Sequence, residues 1–158
     1  MEKSNISKTE SENPHNYYPK RTLLPFSAPG PEFQLEDWEL GELSRSGINK
    51  LDLDYFLKMT ELREEQLQKI VKLNLEELED ADPLDIVDDT ISENIIRLSV
   101  IYGLGYSLFD DWRVFNRWML TSNKTLGYNT PLERCAYTDG FWAVHSLLNR
   151  MEWTFYRA

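Results

Sequence analysis

The chain is poor in the residues that build disulfides and zinc sites. It has one cysteine, Cys135, and two histidines, His15 and His145, among 158 residues. These numbers exclude an internal disulfide framework and the common structural zinc sites. No apolar run approaches ~18 residues, which excludes a membrane-spanning helix in this sequence. Residues 1–31 contain no apolar segment typical of a secretory signal, so we expect a cytoplasmic protein. We also expect that the protein needs no cofactor.

Basic residues are also scarce, with 17 Lys and Arg against 27 Asp and Glu and a net charge of −10. The acidic excess lies in the middle, because residues 51–93 have fourteen acidic and four basic side chains, whereas residues 94–158 have five and seven. Within this region, residues 74–93 contain nine acidic side chains and no basic one. Such a surface repels phosphate backbones. The simplest interpretation is a solvated acidic face.

Two patterns resemble reactive sites, and both are weak. Cys135 and His145 are ten residues apart, and a nucleophile pair would need them in contact and oriented by a third group. A small buried cysteine is the simpler interpretation. Asp80, Asp82 and Asp85 suggest a calcium loop, yet glycine is missing at its sixth position and glutamate at its twelfth. We therefore predict neither an enzyme nor a metal-binding protein.

The pattern of apolar residues predicts an all-α chain. Residues 1–32 are rich in Ser, Asn, Pro and Lys without periodicity, which indicates a flexible tail. Helices are predicted at 34–45, 51–59, 64–73 and 75–80, and Pro83 enforces a break after the last. The three short helices between residues 51 and 80 suggest a helix-turn-helix type of bundle.

A long helix is predicted from Ser92, as its N-cap, to about residue 109. Gly103 and Gly105 within it allow either close approach of another helix or a kink. Asp110 or Asp111 is expected to cap the next helix, and Thr138 or Asp139 the last. The stripe expected to face the core from the long helix is Ile96, Val100, Leu104 and Leu108. The aromatic set expected mainly in the core, with some surplus exposed, is Trp112, Phe115, Trp118, Phe141 and Trp142.

The C-terminal third has residues of fixed type at fixed spacing. An aromatic helix ends in a turn, a Pro-Leu pair restarts a helix, and a glycine precedes a last amphipathic helix. The residues that carry this pattern are Trp118, Asn123, Leu126, Gly127, Pro131, Leu132, Gly140, Val144, Leu148 and Arg150. The pattern resembles the C-terminal domain of the Xre/MbcA/ParS-type antitoxins. Ser122 stands at the turn proline of that family, Tyr128 at its second glycine and Trp153 at its terminal glycine.

The resemblance extends more weakly over residues 45–158 and implies an organisation and a function. It implies an Xre-like helical segment at residues 33–91, with a degenerate helix-turn-helix, and a toxin-binding helical domain at residues 92–158. Members of that family are all-α, often dimeric, and neutralise a toxin encoded next to them. In the best-known group the toxin is a RES-type enzyme that attacks NAD. The resemblance thus implies a type II antitoxin that binds a cognate toxin and occludes its active site.

Two sets of binding residues follow as expectations. The toxin-binding set is the aromatic and basic end of the chain, Arg150, Trp153, Phe155, Tyr156 and Arg157, because Trp, Tyr and Arg are enriched in interface hot spots. A C-terminal segment folded on its own bundle is the alternative. The alternative function is that of an Xre-type DNA-binding regulator. Its expected recognition helix at 75–80 is acidic, which disfavours contact with phosphates and base edges. Lys69 and Lys72 are the nearby residues that could bind DNA instead. A diverged adaptor is a further alternative.

Overall fold

The structure, a computed structural model, describes Arg45, residues 47–72 and residues 76–157. The side chains at positions 77, 78, 153 and 155–157 are outside that description, as are the predicted tail at 1–32 and most of the predicted helix at 34–45. The helices are α1 (Lys50–Thr60), α2 (Glu64–Val71), α3 (Glu76–Glu79), α4 (Asp89–Leu108), α5 (Trp112–Met119), a 3-10 turn (Lys124–Leu126), α6 (Pro131–Arg134) and α7 (Thr138–Arg157). The all-α prediction is confirmed, and the described residues form no strand.

Polar caps set several helix starts, but two predicted caps are wrong, since Ser92 lies inside α4 and both Thr138 and Asp139 lie inside α7, which begins at Thr138. Asn49 and Asp52 form a reciprocal capping box at α1. Helix α4 begins at Asp89 with Asp88 as its N-cap, rather than at Ser92 as the sequence suggested. The Ser92 hydroxyl is fully buried inside the helix, where it accepts a hydrogen bond from the Ile48 N–H and donates one to the Val87 carbonyl, both at 3.2 Å. Ser92 therefore joins the segment before α1 to the start of α4.

Helix α4 is the centre of the fold and packs against α1, α2, α5 and α7. Of the predicted stripe only Ile96 is buried, whereas Val100, Leu104 and Leu108 are half-buried. The helix buries instead a face that includes Ile95, Ile101 and Tyr102. Tyr102 meets Phe56 of α1 and Phe115 of α5 edge-on, with ring centroids 5.7 and 5.4 Å apart. Such edge contacts suit aromatic quadrupoles. One apolar core thus joins the N-terminal helices to the C-terminal ones.

Gly105 explains why α5 can lie so close to α4. A Cβ placed on Gly105 would meet the Phe115 ring at 2.1 Å, so only glycine leaves room for this ring. Phe115 is fully buried and stacks on Trp118, with centroids 5.5 Å apart. The predicted use of a small residue for close helix approach is confirmed at this position.

A polar cluster also ties α1 to the C-terminal helices. The Tyr106 hydroxyl lies 2.8 Å from Asn116 Oδ1 and 3.0 Å from the Met59 carbonyl, and Asn116 Nδ2 lies 3.4 Å from that same carbonyl. Since Met59 lies near the end of α1, these bonds satisfy a backbone group that the helix leaves free. None of the helices in the described part of the chain is long and apolar enough to cross a bilayer.

Candidate partner-binding surface

The turn after α5 is held by hydrogen bonds to one residue. Asn123 is the N-cap of the 3-10 turn, and its side chain accepts from the Thr125 N–H at 2.9 Å. Its backbone carbonyl accepts from Leu126 and Tyr128, at 3.0 and 2.9 Å, and its N–H donates to Asn129 at 3.0 Å. The side chain of Leu126 is buried under the turn. Asn123 and Leu126 thus fix the shape of this loop.

Two successive residues of the turn have left-handed backbone conformations. Gly127 has φ +69° and Tyr128 has φ +66°. Tyr128 therefore has a backbone conformation that favours glycine. The Tyr128 carbonyl accepts a hydrogen bond of 2.6 Å from the Ser122 hydroxyl. Tyr128 is 70% exposed, and its side chain has no hydrogen bond or ring contact with any residue that the structure describes.

A capping box and a close backbone contact define the next two helices. Thr130 and Glu133 cap each other's backbone N–H at the start of α6, with Pro131 at the first turn. Gly140 lies at the start of α7, where a Cβ would be 1.9 Å from the Arg134 carbonyl oxygen. Glycine at position 140 therefore allows α7 to begin directly against the end of α6.

Helix α7 buries one row and exposes another. Phe141, Val144 and Leu148 are buried in the core, whereas Trp142 is 48% exposed. His145 packs its ring against Phe141 and Trp142, and its Nδ1 lies 3.2 Å from Asn149 Nδ2. The predicted aromatic core set therefore divides: Phe115 and Phe141 are buried, Trp118 is half-buried, and Trp112 and Trp142 are exposed.

The end of α7 carries the predicted toxin-binding residues. Arg150 is exposed, while the side chains of Trp153, Phe155, Tyr156 and Arg157 are outside the description, although their backbone is helical. The helical period of 3.6 residues places positions 153 and 157 on the face of Trp142 and Arg150. The role of this set stays a prediction.

A groove of about 580 Å³ opens between α2 and the α6 region. Two of the side chains that line it are apolar and exposed, Leu120 at 42% and Tyr137 at 65%. The side chains that line it are Arg63, Gln66, Lys69, Ile70, Leu120, Asn129, Thr130, Leu132, Glu133, Arg134, Ala136 and Tyr137. The groove thus joins the N-terminal and C-terminal helices in one concave surface.

The charge of the groove is opposite to that of the chain. Arg63, Lys69 and Arg134 line it, and Glu133 is its one lining carboxylate. Glu133 already accepts a bond from the Thr130 N–H. Arg134 Nε is buried without a hydrogen-bond partner among the described residues, and the guanidinium makes a 3.5 Å ion pair with Asp139. The groove is therefore a basic and partly apolar patch in an acidic protein.

The remaining predicted binding and reactive residues lie elsewhere. Lys72 is exposed and ends α2 with φ +53°, and α3 is a single turn with Glu76 and Glu79 exposed. Burial raises the pKa of the Cys135 thiol to about 12, so it stays protonated near neutral pH. No group of three or more His, Cys, Asp or Glu among the described residues is arranged to hold a metal ion.

The fold and this surface define an all-helical chain with an exposed turn, an exposed face on its last helix and a basic groove. Residues 104–153 match the family model of the antitoxin Xre/MbcA/ParS C-terminal toxin-binding domain. The resemblance inferred from the motif is thus confirmed for this part of the chain, and the weaker resemblance upstream of residue 104 lies outside the match. No curated protein matches the chain.

The groove was not predicted from the sequence, although the sequence contains one pattern that indicates part of it. Arg63, Gln66 and Lys69 recur every three residues, a spacing that places polar side chains on one face of a helix. The other wall, from Asn129 to Tyr137, is about sixty residues away along the chain. The Ser122–Tyr128 hydrogen bond was also missed, because it joins residues whose proximity depends on the turn conformation.

Proposed function

We propose that this chain is the antitoxin of a type II toxin–antitoxin pair and neutralises its toxin by direct binding. The observation that carries this proposal is the match of residues 104–153 to a toxin-binding domain. The geometry supports it, because the matched region presents exposed side chains in place of a closed surface. Tyr128, Tyr137 and Trp142 are 70%, 65% and 48% exposed. Exposed aromatic residues are enriched in protein interfaces.

The surface that we propose for occlusion is the C-terminal end of α7. Arg150 is exposed there, and the helical register continues its face to positions 153 and 157. Arg, Trp and Tyr contribute strongly to interfaces when they enter a partner's pocket. A helix end of this composition suits insertion into a cleft. The partner we propose is a RES-type, NAD-degrading enzyme, and this identity rests on the family resemblance alone.

The proposal is tested by co-expression with the product of the adjacent open reading frame. We expect the neighbour alone to arrest growth and deplete NAD, and the pair to grow and to co-purify. A neighbour that is harmless alone, or that is toxic but neither bound nor neutralised by this chain, would contradict the proposal.

The role of the C-terminal end is tested separately. The truncation should end at Glu152, because Met151 packs against the core and its loss would disturb the fold. We expect this truncation and Arg150→Glu to lose rescue and complex formation. Lys58→Glu is the matched control, since Lys58 is an exposed cation on α1, remote in sequence from the matched region. Full rescue by the truncation would show that the last turns of α7 are dispensable.

A regulator that binds DNA is the second candidate, and the basic groove is the observation that favours it. Arg63 is the N-cap of α2 and Lys69 lies within it, in the segment predicted as a helix-turn-helix type of bundle. Against it, α3 has one turn and exposed acidic side chains. Operator binding whose affinity falls steeply with salt would support this candidate, because each phosphate contact releases counterions. We also propose a homodimer with the aromatic and long-helix region as its interface. Because α4 is largely covered within the chain, the exposed aromatic residues would make most of the contact.

A further inference from the structure

Tyr128 has a backbone conformation that works against its side chain. At φ +66° its Cβ is crowded by the backbone, which a glycine avoids. Gly127 before it also has positive φ, so the pair has the backbone signs of a type I′ turn. Asn129 N–H closes this turn on the Leu126 carbonyl at 3.4 Å. Bulky residues are rare at the second position of such turns, and the related antitoxin motif has glycine here.

The ring and hydroxyl of this strained tyrosine have no hydrogen bond or ring contact in the described part of the chain. Its side chain is 70% exposed and has neither a hydrogen bond nor an aromatic contact with a described residue. Among the described residues, two other non-glycine residues have positive φ, Glu61 and Lys72, but each ends a helix. A left-handed residue is common at a helix end, where it lets backbone bonds close. Tyr128 is the one of the three that displays an aromatic ring.

The turn holds the tyrosine backbone firmly. The Ser122 hydroxyl donates to the Tyr128 carbonyl at 2.6 Å, and the Tyr128 N–H donates to the Asn123 carbonyl at 2.9 Å. Ser122 and Tyr128 are both departures from the family motif, and this hydrogen bond joins them. On a backbone held in this way, tyrosine has only two χ angles to fix when it binds a partner. Backbone strain retained with such an exposed ring points to a functional contact.

We propose that Tyr128, positioned by Ser122, is a specificity-determining contact with the toxin. The inference rests on the proposed antitoxin function and names a second site of contact, separate from the end of α7. The complementary site on the toxin is an apolar pocket with a polar group at its edge, since a tyrosine offers a ring and a hydroxyl. A toxin whose surface lacks that pocket would be discriminated against at this turn.

The test measures stability and affinity in the same variants. Tyr128→Gly removes the ring and relieves the backbone, and Tyr128→Asn does the same with a residue that tolerates positive φ. We expect both to unfold at the same temperature as the wild type or higher, and to bind the purified product of the adjacent open reading frame at least about tenfold more weakly. Glu61→Gly is the matched control, because it relieves the same type of strain outside the turn and should leave Kd unchanged.

Ser122→Ala separates positioning from contact. It keeps the ring and frees the Tyr128 carbonyl, so we expect a smaller loss of affinity than in Tyr128→Gly. Wild-type affinity in both Tyr128 variants would overturn the inference while the proposed function stands. Failure of the wild-type chain to bind or rescue would remove the proposed function, and the inference with it.

Discussion

Replacing Gly140 by alanine should separate α6 from α7. An added Cβ would lie 1.9 Å from the Arg134 carbonyl oxygen and 2.7 Å from its carbonyl carbon. Cβ atoms in proteins essentially never approach another heavy atom within 3.0 Å, so one of the two backbones must move by more than about 1 Å. The obstacle is main chain rather than a flexible side chain, so a change of rotamer cannot relieve the overlap.

The magnitude follows from two opposing effects. Alanine is favoured over glycine inside a helix by about 1 kcal/mol. Overpacking costs about 1–3 kcal/mol, and a contact with backbone lies at the upper end of that range. We expect a net loss of about 1–2 kcal/mol in the free energy of unfolding. For a chain of this length, Tm then falls by about 2–8 °C.

Thermal unfolding followed by circular dichroism measures this effect. Ser146→Ala is the matched control, since Ser146 is exposed on the same helix and the change should alter stability by less than about 0.5 kcal/mol. A Gly140→Ala protein as stable as the wild type, or more stable, would contradict the expected overlap between the two backbones. It would mean that the distance between α6 and α7 is not limited by this backbone contact.

Four further predictions concern a helix cap and three buried groups. Asp88→Ala should lower the free energy of unfolding by about 0.5–2 kcal/mol, because α4 loses its N-cap. Ser92→Ala should lower it by about 1–3 kcal/mol, because two buried backbone groups lose their hydrogen-bond partner. If urea unfolding showed that Asp88→Ala is as stable as the wild type, the observed start of α4 would be contradicted. Tyr106→Phe should cost about 1–2 kcal/mol, because the Met59 carbonyl loses a donor, and an unchanged urea midpoint would refute that bond. Burial raises the pKa of Tyr102 and, from 9.0 to about 12, that of Cys135, so both are protonated in the fold. The stability that the protonated Cys135 thiol contributes is complete below about pH 9 and is lost as pH rises toward 12. The free energy of unfolding should therefore fall between about pH 9 and 10.5, and it should fall less steeply in Cys135→Ala. A wild-type free energy that stays constant over this pH range would contradict the prediction.

The helices were predictable because their apolar spacing is local. The prediction at 51–59 differs by one residue at each end from the observed Lys50–Thr60. The start of α4 was missed because Asp88 and Ser92 are both good capping residues, four positions apart. Only the burial of Ser92 against the Ile48 N–H distinguishes them, and that contact spans 44 residues.

The division of aromatic residues could not be predicted from composition. Phe115 is fully buried and Trp112, three residues earlier, is 36% exposed, although both are large aromatic side chains on α5. What separates them is the space left by Gly105 on α4. Similarly, the departure at Tyr128 was visible in the sequence, but whether the turn kept its left-handed conformation required the backbone angle.

Binding through the matched domain is tested most directly by hydrogen–deuterium exchange of the full chain, free and bound to the product of the adjacent open reading frame. We expect new protection in residues 120–130 and in the last turns of α7, with α1 and α3 unchanged. Protection confined to α1, α2 and α3, or no protection with a toxin that the chain demonstrably neutralises, would contradict binding through the matched domain.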